Sequence, residues 1–187
     1  MLVNNASADV KSAASITSRE GEGELLSRLE GKLIPAIRCS QAALEHMLSD
    51  GGGRIIMIGG TAARVVTGGT GSGLLGSAAA GLGNSALTNF AKHLSKAVAP
   101  AGVLVNVVQP GVVATDRHPG RVRSRAMAGG ISVEEAARAF DAEVAIGRTI
   151  VPRDVSGIVL FLASPWASGI TGQSIAIDGG AFDLVSY

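Results

Sequence analysis

Short runs of branched apolar residues alternate along this chain with longer stretches of helical period, and that alternation limits the fold more than any other feature. Strands are predicted at residues 1–4, 54–58, 103–108 and 173–177. Each is separated from the next by at least one amphipathic stretch, so tight hairpins are excluded. Crossovers must join them, as in βαβ units with helices covering both faces of a parallel sheet. Between the first two strands Leu25, Leu26, Leu29, Leu33, Ile37, Leu44 and Met47 fall at helical spacing, and Pro35 either kinks that helix or starts its second half. Before the third strand Leu87, Phe90, Ala91, Leu94 and Val98 make one apolar stripe, with Lys92, Ser95 and Lys96 off it. After it, the Arg- and Gly-rich stretch 109–131 reads as a loop. Ser132 and Glu135 then announce a helix through a capping box, and Pro152 opens another over about 152–163. A chain of 187 residues can bury one good core and is short for two, so residues 1–187 are read as a single domain.

Charge and composition exclude several function classes. Sixteen basic and fifteen acidic residues are interspersed, so no block of one sign could follow a nucleic-acid backbone. The lone Cys39 cannot form an internal disulfide, and His46, His93 and His118 lack metal-ligand spacing. Both features suit a cytoplasmic protein without a metal. Residues 65–91 carry no charge, yet Gly, Ser, Thr and Asn fill the stretch, which argues against a membrane span. The first five residues lack the basic region and apolar run of a secretory signal.

Several short motifs follow one another in a fixed order. Leu2-Val3-Asn4-Asn5-Ala6 ends the first strand, Gln41-Ala42-Ala43-Leu44 through Met47 closes a helix, and Gly53-Arg54-Ile55-Ile56 opens the next strand. Ala99-Pro100-Ala101-Gly102-Val103-Leu104-Val105-Asn106-Val107-Val108-Gln109-Pro110-Gly111 carries a helix end, a strand and a Pro-Gly loop. Phe161-Leu162-Ala163-Ser164, Ile170-Thr171-Gly172-Gln173 and Asp178-Gly179-Gly180 complete the series. In this order they resemble the short-chain dehydrogenase/reductase family over nearly the whole chain. The resemblance implies a Rossmann-like parallel sheet with flanking helices, N-terminally truncated to about four strands, the family's fourth to seventh. It also implies kinship with NAD(P)-dependent oxidoreductases acting on a carbonyl or alcohol.

An Asn pair at a strand's carboxyl end can bond the neighbouring strand and shape a ligand crevice, or simply cap the strand. By resemblance, the residues facing an NAD or NADP cofactor are Asn5, Ala6, Ile58, Pro110, Gly111, Val113 and Thr115. Pro110-Gly111 would let backbone approach a flat ring, with an amide and a hydroxyl from Val113 and Thr115; the plain alternative is a turn.

The sequence departs from the family where the chemistry should be. The glycine-rich phosphate turn and the residue that selects NAD or NADP would precede Met1, which implies a shortened product or a half supplied elsewhere, and leaves the edge at residues 2–4 unpaired. Gly71-Ser72-Gly73-Leu74-Leu75-Gly76 has the spacing G-x-G-x-x-G, but it follows no strand directly and no acid ends the next strand, so a glycine-rich loop is the better reading. Gly60 occupies the family's serine position, Ala80 its tyrosine and Asn84 its lysine. Tyr187, the only tyrosine, is terminal; Thr61, Ser72 and Ser77 are the nearby hydroxyls. None of these supplies the titratable group that proton transfer needs.

Lys32 stands where the family carries an asparagine on the preceding helix. Lysine and asparagine have thus traded helices, or else Lys32 is a solvated lysine and Asn84 a helix-start residue. The functional expectation is a catalytically impaired relative of the reductases that binds NAD or NADP weakly on its own. The alternatives are a non-catalytic module self-associating through residues 24–48 and 77–98, and a fragment of a longer reductase.

Overall fold

The computed structural model describes residues 1–7, 19–66 and 78–182. Four strands, β1 (Leu2–Asn4), β2 (Gly53–Ile58), β3 (Val103–Pro110) and β4 (Ser174–Ile177), pair in sequence order, all parallel. Ile55 sits between Leu2 and Val105, and Val107 stands opposite Ser174. The expected α/β class is therefore found, with β1 at one edge of the sheet and β4 at the other. Helices α1 (Arg19–Arg28), α2 (Ile34–Ser49), α3 (Ala78–Val98) and α6 (Pro152–Ala163) cover the sheet and its flank, while α4 (His118–Gly129) and α5 (Val133–Ala142) pack on each other.

The branched runs form strands because both faces of a covered parallel sheet are dry. On one face Ile55, Met57, Val103, Val105 and Val107 meet Ala36, Met47, Leu87 and Ala91. On the other, Ile56 and Val108 meet Leu162 and Ala167, joined by Ile158, Ile175 and Ile177. Asn106, the polar residue inside β3, is buried and fully used: its Nδ2 donates to Ile170 O at 2.8 Å and its Oδ1 accepts from Gln173 N at 3.0 Å. It clamps the segment leading into β4. Gly172 completes that clamp at φ +67, where an added Cβ would lie 2.6 Å from Ser95 Oγ.

One expectation about the helices is met and two others are corrected. Pro35 starts the second half of the apolar stripe at residues 24–48: a wide π turn, Leu29–Leu33, separates α1 from α2, with Pro35 in the first turn of α2. Pro35 has no N–H for an ordinary helical bond, and the helix widens just before it, with Ile34 N reaching back to Leu29 O. The stretch 109–131 is not a loop throughout, since β3 runs to Pro110 and α4 follows. Val122 and Ala126, one helical turn apart, lock α4 onto Ala136 and Phe140 of α5, and Gly130 ends it at φ +61. The Asn pair does not bond the neighbouring strand, because Asn4 Nδ2 donates to the buried Ser40 Oγ of α2 at 3.2 Å.

The capping box forms as expected, with Glu135 N donating to Ser132 Oγ at 3.1 Å and Ser132 N to Glu135 Oε2 at 2.9 Å. No helix among the described residues is long and apolar enough to cross a membrane.

The Asn106 clamp sets an expectation for stability. Asn106→Ala leaves a carbonyl and an amide of the β4 approach without their partner, and should lower the unfolding free energy by about 2–4 kcal/mol in urea titrations. A loss below about 1 kcal/mol would show that the segment finds other partners.

Candidate active-site crevice

Because the strands are parallel, the carboxyl ends of β1, β2 and β3 lie side by side, which is where open α/β sheets place their ligands. Asn5 and Ala6 are exposed beyond β1. Gly59 and Gly60 follow β2, with Gly59 N donating to Val108 O at 2.7 Å. Ile58 packs with the apolar cluster under α6. Pro110 ends β3 and Gly111 follows it.

Over Gly60 the crevice is closed by α3, drawn close by small residues. A Cβ on Gly81 would stand 2.9 Å from Ala62 O, and Ser85 Oγ donates to Ala63 O at 3.0 Å. Between these two contacts sits Asn84, only 8% exposed. Ala80 lies one helical turn earlier on the same side of α3 and offers a methyl group. Thr61, buried beside Gly60, has its hydroxyl directed to Pro110 O at 3.4 Å.

Lys32 arrives from the π turn. Its Nζ donates to Asn84 Oδ1 at 2.7 Å and to Gly59 O at 3.2 Å. Lys32 is therefore not a solvated surface lysine, and Lys32, Asn84 and Gly60 occupy one crevice. The widened turn upstream of Pro35 positions the residue, in keeping with the frequent placement of π turns at functional sites. Burial of the ammonium, with a smaller effect from Arg28, lowers the Lys32 pKa to about 8. Arg28 is itself held 3.2 Å from the buried Glu24.

Beyond β3 the segment Gly111, Val113, Thr115, Asp116, Arg117 and Arg121 lines an open recess of about 380 Å³. Val113 bridges to Ile150, and the Thr115 hydroxyl stands at the exposed rim. A Cβ on Gly111 would meet Asp178 Cβ at 3.0 Å and its Cα at 3.1 Å, so the glycine that lines the recess also serves the contact between the ends of β3 and β4.

Arg117 and Arg121, one turn apart at the start of α4, bring two guanidiniums to the recess wall. The i, i+4 spacing was the available signal. Gly71–Gly76, Ser72, Ser77 and Tyr187 lie outside the described residues.

Comparison with known proteins agrees with this fold. A family profile described as Enoyl-(Acyl carrier protein) reductase matches residues 1–181. The 3-oxoacyl-[acyl-carrier-protein] reductase FabG of Vibrio cholerae is 32% identical over 182 residues, which are 97% of this chain and 66% of that reductase. The chain thus spans just under two thirds of the length of that relative. Among solved structures, the actinorhodin polyketide ketoreductase with NADPH aligns with a TM-score of 0.82 and 27% identity, covering 98% of this chain and 67% of the other. YwfH, an NADPH-dependent reductase of bacilysin biosynthesis, aligns with a TM-score of 0.81 and 25% identity, covering 98% and 67%.

The buried ammonium has a measurable consequence. The folded chain sheds the Lys32 proton near pH 8, whereas the unfolded chain keeps it to 10.5. Below pH 8 the burial penalty is carried in full, and from 8 to 10.5 it fades, so stability should rise with pH across that window. Between pH 7.5 and 10 the wild-type chain should gain about 2 kcal/mol relative to Lys32→Met in urea unfolding. Parallel pH profiles for the two proteins would refute the buried-ammonium reading.

Proposed function

The chain belongs to the short-chain dehydrogenase/reductase family, and from that premise we propose that it carries a carbonyl/alcohol site of a nicotinamide-dependent oxidoreductase that is impaired in ordinary reduction. One observation carries the proposal. Among the described residues, the groups near Gly60 are the Asn84 carboxamide, the Thr61 hydroxyl already bonded to Pro110 O, and the Lys32 amine held behind Asn84, with the Ala80 methyl one helical turn from Asn84. No phenol or hydroxyl in that set is available to give a proton to a reacting oxygen.

NAD or NADP, when bound, supplies or accepts the hydride. The recess beside Gly111 suits the anionic part of such a cofactor, because the Thr115 hydroxyl and the Arg117 and Arg121 guanidiniums are donors for phosphate oxygens. Pro110, Gly111 and Val113 would frame the nicotinamide side, and Asn5 and Ala6 the neighbouring rim. Ile58 would contribute from beneath, through the cluster under α6 that supports the floor. Apart from Gly71–Gly76, no glycine-rich phosphate turn is present in these 187 residues, so affinity should be weak. Kinship with a FabG reductase points to a 3-oxoacyl group as the first substrate to try.

Self-association through residues 24–48 and 77–98 is the second reading. It is favoured by Leu26 and Leu82, which are 53% and 46% exposed on helices that otherwise pack against each other.

Calorimetry with NAD and NADP should show dissociation constants weaker than about 1 mM, and micromolar binding of either would overturn the weak-affinity reading. With NADPH and acetoacetyl-N-acetylcysteamine, turnover should stay at background; rates in the ordinary range of about 1–10³ per second would overturn the impairment. Analytical ultracentrifugation at micromolar concentration should show a dimer that Leu26→Glu and Leu82→Glu together disrupt, whereas a monomeric wild-type chain would end the self-association reading.

A further inference from the structure

Gly60 is a glycine for want of space, since its backbone does not require one. Its φ of 174 is extended and open to any residue, but a Cβ there would lie 3.0 Å from Asn84 Nδ2 and 3.9 Å from Pro110 O. The Asn84 carboxamide is oriented from behind: Lys32 holds Oδ1 at 2.7 Å, which turns Nδ2 toward Gly60. That Nδ2 has no hydrogen-bond acceptor among the described residues, in a side chain that is only 8% exposed. Asn84 Nδ2 is not among the fully buried side-chain atoms left without a partner, so it remains reachable from the crevice and is open to an oxygen arriving from outside the chain.

We propose that Asn84 Nδ2 donates a hydrogen bond to the carbonyl oxygen of a small ketone or aldehyde bound over Gly60, with Lys32 as the positioning residue that fixes and polarises the carboxamide. The choice of a carbonyl compound rests on the oxidoreductase reading above; the donor site rests on the geometry alone. Gly60 and Asn84 are a matched pair, the one leaving the space that the other's amide addresses. Lys32 acts through Asn84 and does not touch the ligand. A cation on the amide oxygen draws electron density from the amide nitrogen and strengthens its N–H as a donor. The charge acting on Lys32 is Arg28, paired with Glu24 on α1, while α3 and the end of β2 present the non-titrating Asn84 and Gly59 O.

The test is a titration of the uniformly ¹⁵N-labelled full chain with ethyl acetoacetate, without cofactor, read at the Asn84 side-chain amide pair. Asn84→Asp identifies that pair by its disappearance. The pair should move downfield and saturate with a dissociation constant in the millimolar range, roughly 4 kcal/mol of binding. Ethyl butyrate, the same ester without the ketone, should leave it in place.

Gly60→Ala should weaken binding at least about tenfold by filling the space. Lys32→Met should weaken it several-fold and abolish the fall in affinity that the wild-type chain shows as pH rises through about 8. If either variant fails to give a folded amide spectrum, the wild-type titration decides. An unmoved Asn84 pair while other resonances shift, no shift at all up to about 50 mM, or an equal shift with ethyl butyrate would each overturn the proposal. Turnover of a ketone with an unmoved Asn84 pair would overturn this inference and the impairment together, whereas binding without turnover supports both.

Discussion

Strand β3 is buried on both faces, and its parallel pairing with β2 over Gly53–Ile58 and with β4 over Ser174–Ile177 sets the direction and depth of everything at the crevice. With Val103, Val105 and Val107 committed to one layer of helices and Val108 to the other, a shift of one residue would reverse both faces. The register therefore has no freedom. It places Gly59 N against Val108 O and brings the residues after β2 level with Pro110. The Asn106 clamp extends the same constraint to β4, since the approach to that strand is held by a side chain inside β3.

On that floor the unusual element is a cation brought in from the helical layer. The π turn before Pro35 delivers Lys32 to the Gly59 carbonyl and the Asn84 carboxamide, two acceptors that offset part of the cost of burying its charge. The crevice thus holds one ammonium and one carboxamide, with the carboxamide beside Gly60 and the ammonium behind it.

The sheet was legible in the sequence because its central strands are covered on both faces and so read as nearly continuous apolar runs, residues 55–58 in β2 and 103–108 in β3 with Asn106 the polar exception. The Lys32–Asn84 contact was legible only through motif order, because no periodicity connects residues so far apart in sequence. What was missed had local causes. Helix α4 was hidden by Arg and Gly, composition outweighing the Val122 and Ala126 spacing that anchors it. The π turn was invisible because widening a helix by one residue leaves the apolar stripe nearly intact. Asn4 looked like a strand-pairing residue, but its partner is the Ser40 hydroxyl, small enough to leave room for an amide between β1 and α2.

The order of groups around Gly60 also bears on why binding and turnover would separate in such a site. Reduction of a carbonyl needs polarisation as hydride arrives and a proton for the resulting alkoxide. The Asn84 amide can do the first, because a hydrogen bond from Nδ2 stabilises developing charge on oxygen. It cannot do the second, since a carboxamide does not release a proton near neutral pH. Lys32, with its pKa near 8, could release one, but its ammonium is held by Gly59 O and the far side of the Asn84 carboxamide. The polarising group thus stands between the acid and the place where the acid would be needed. An arrangement of this kind favours holding a carbonyl over converting it.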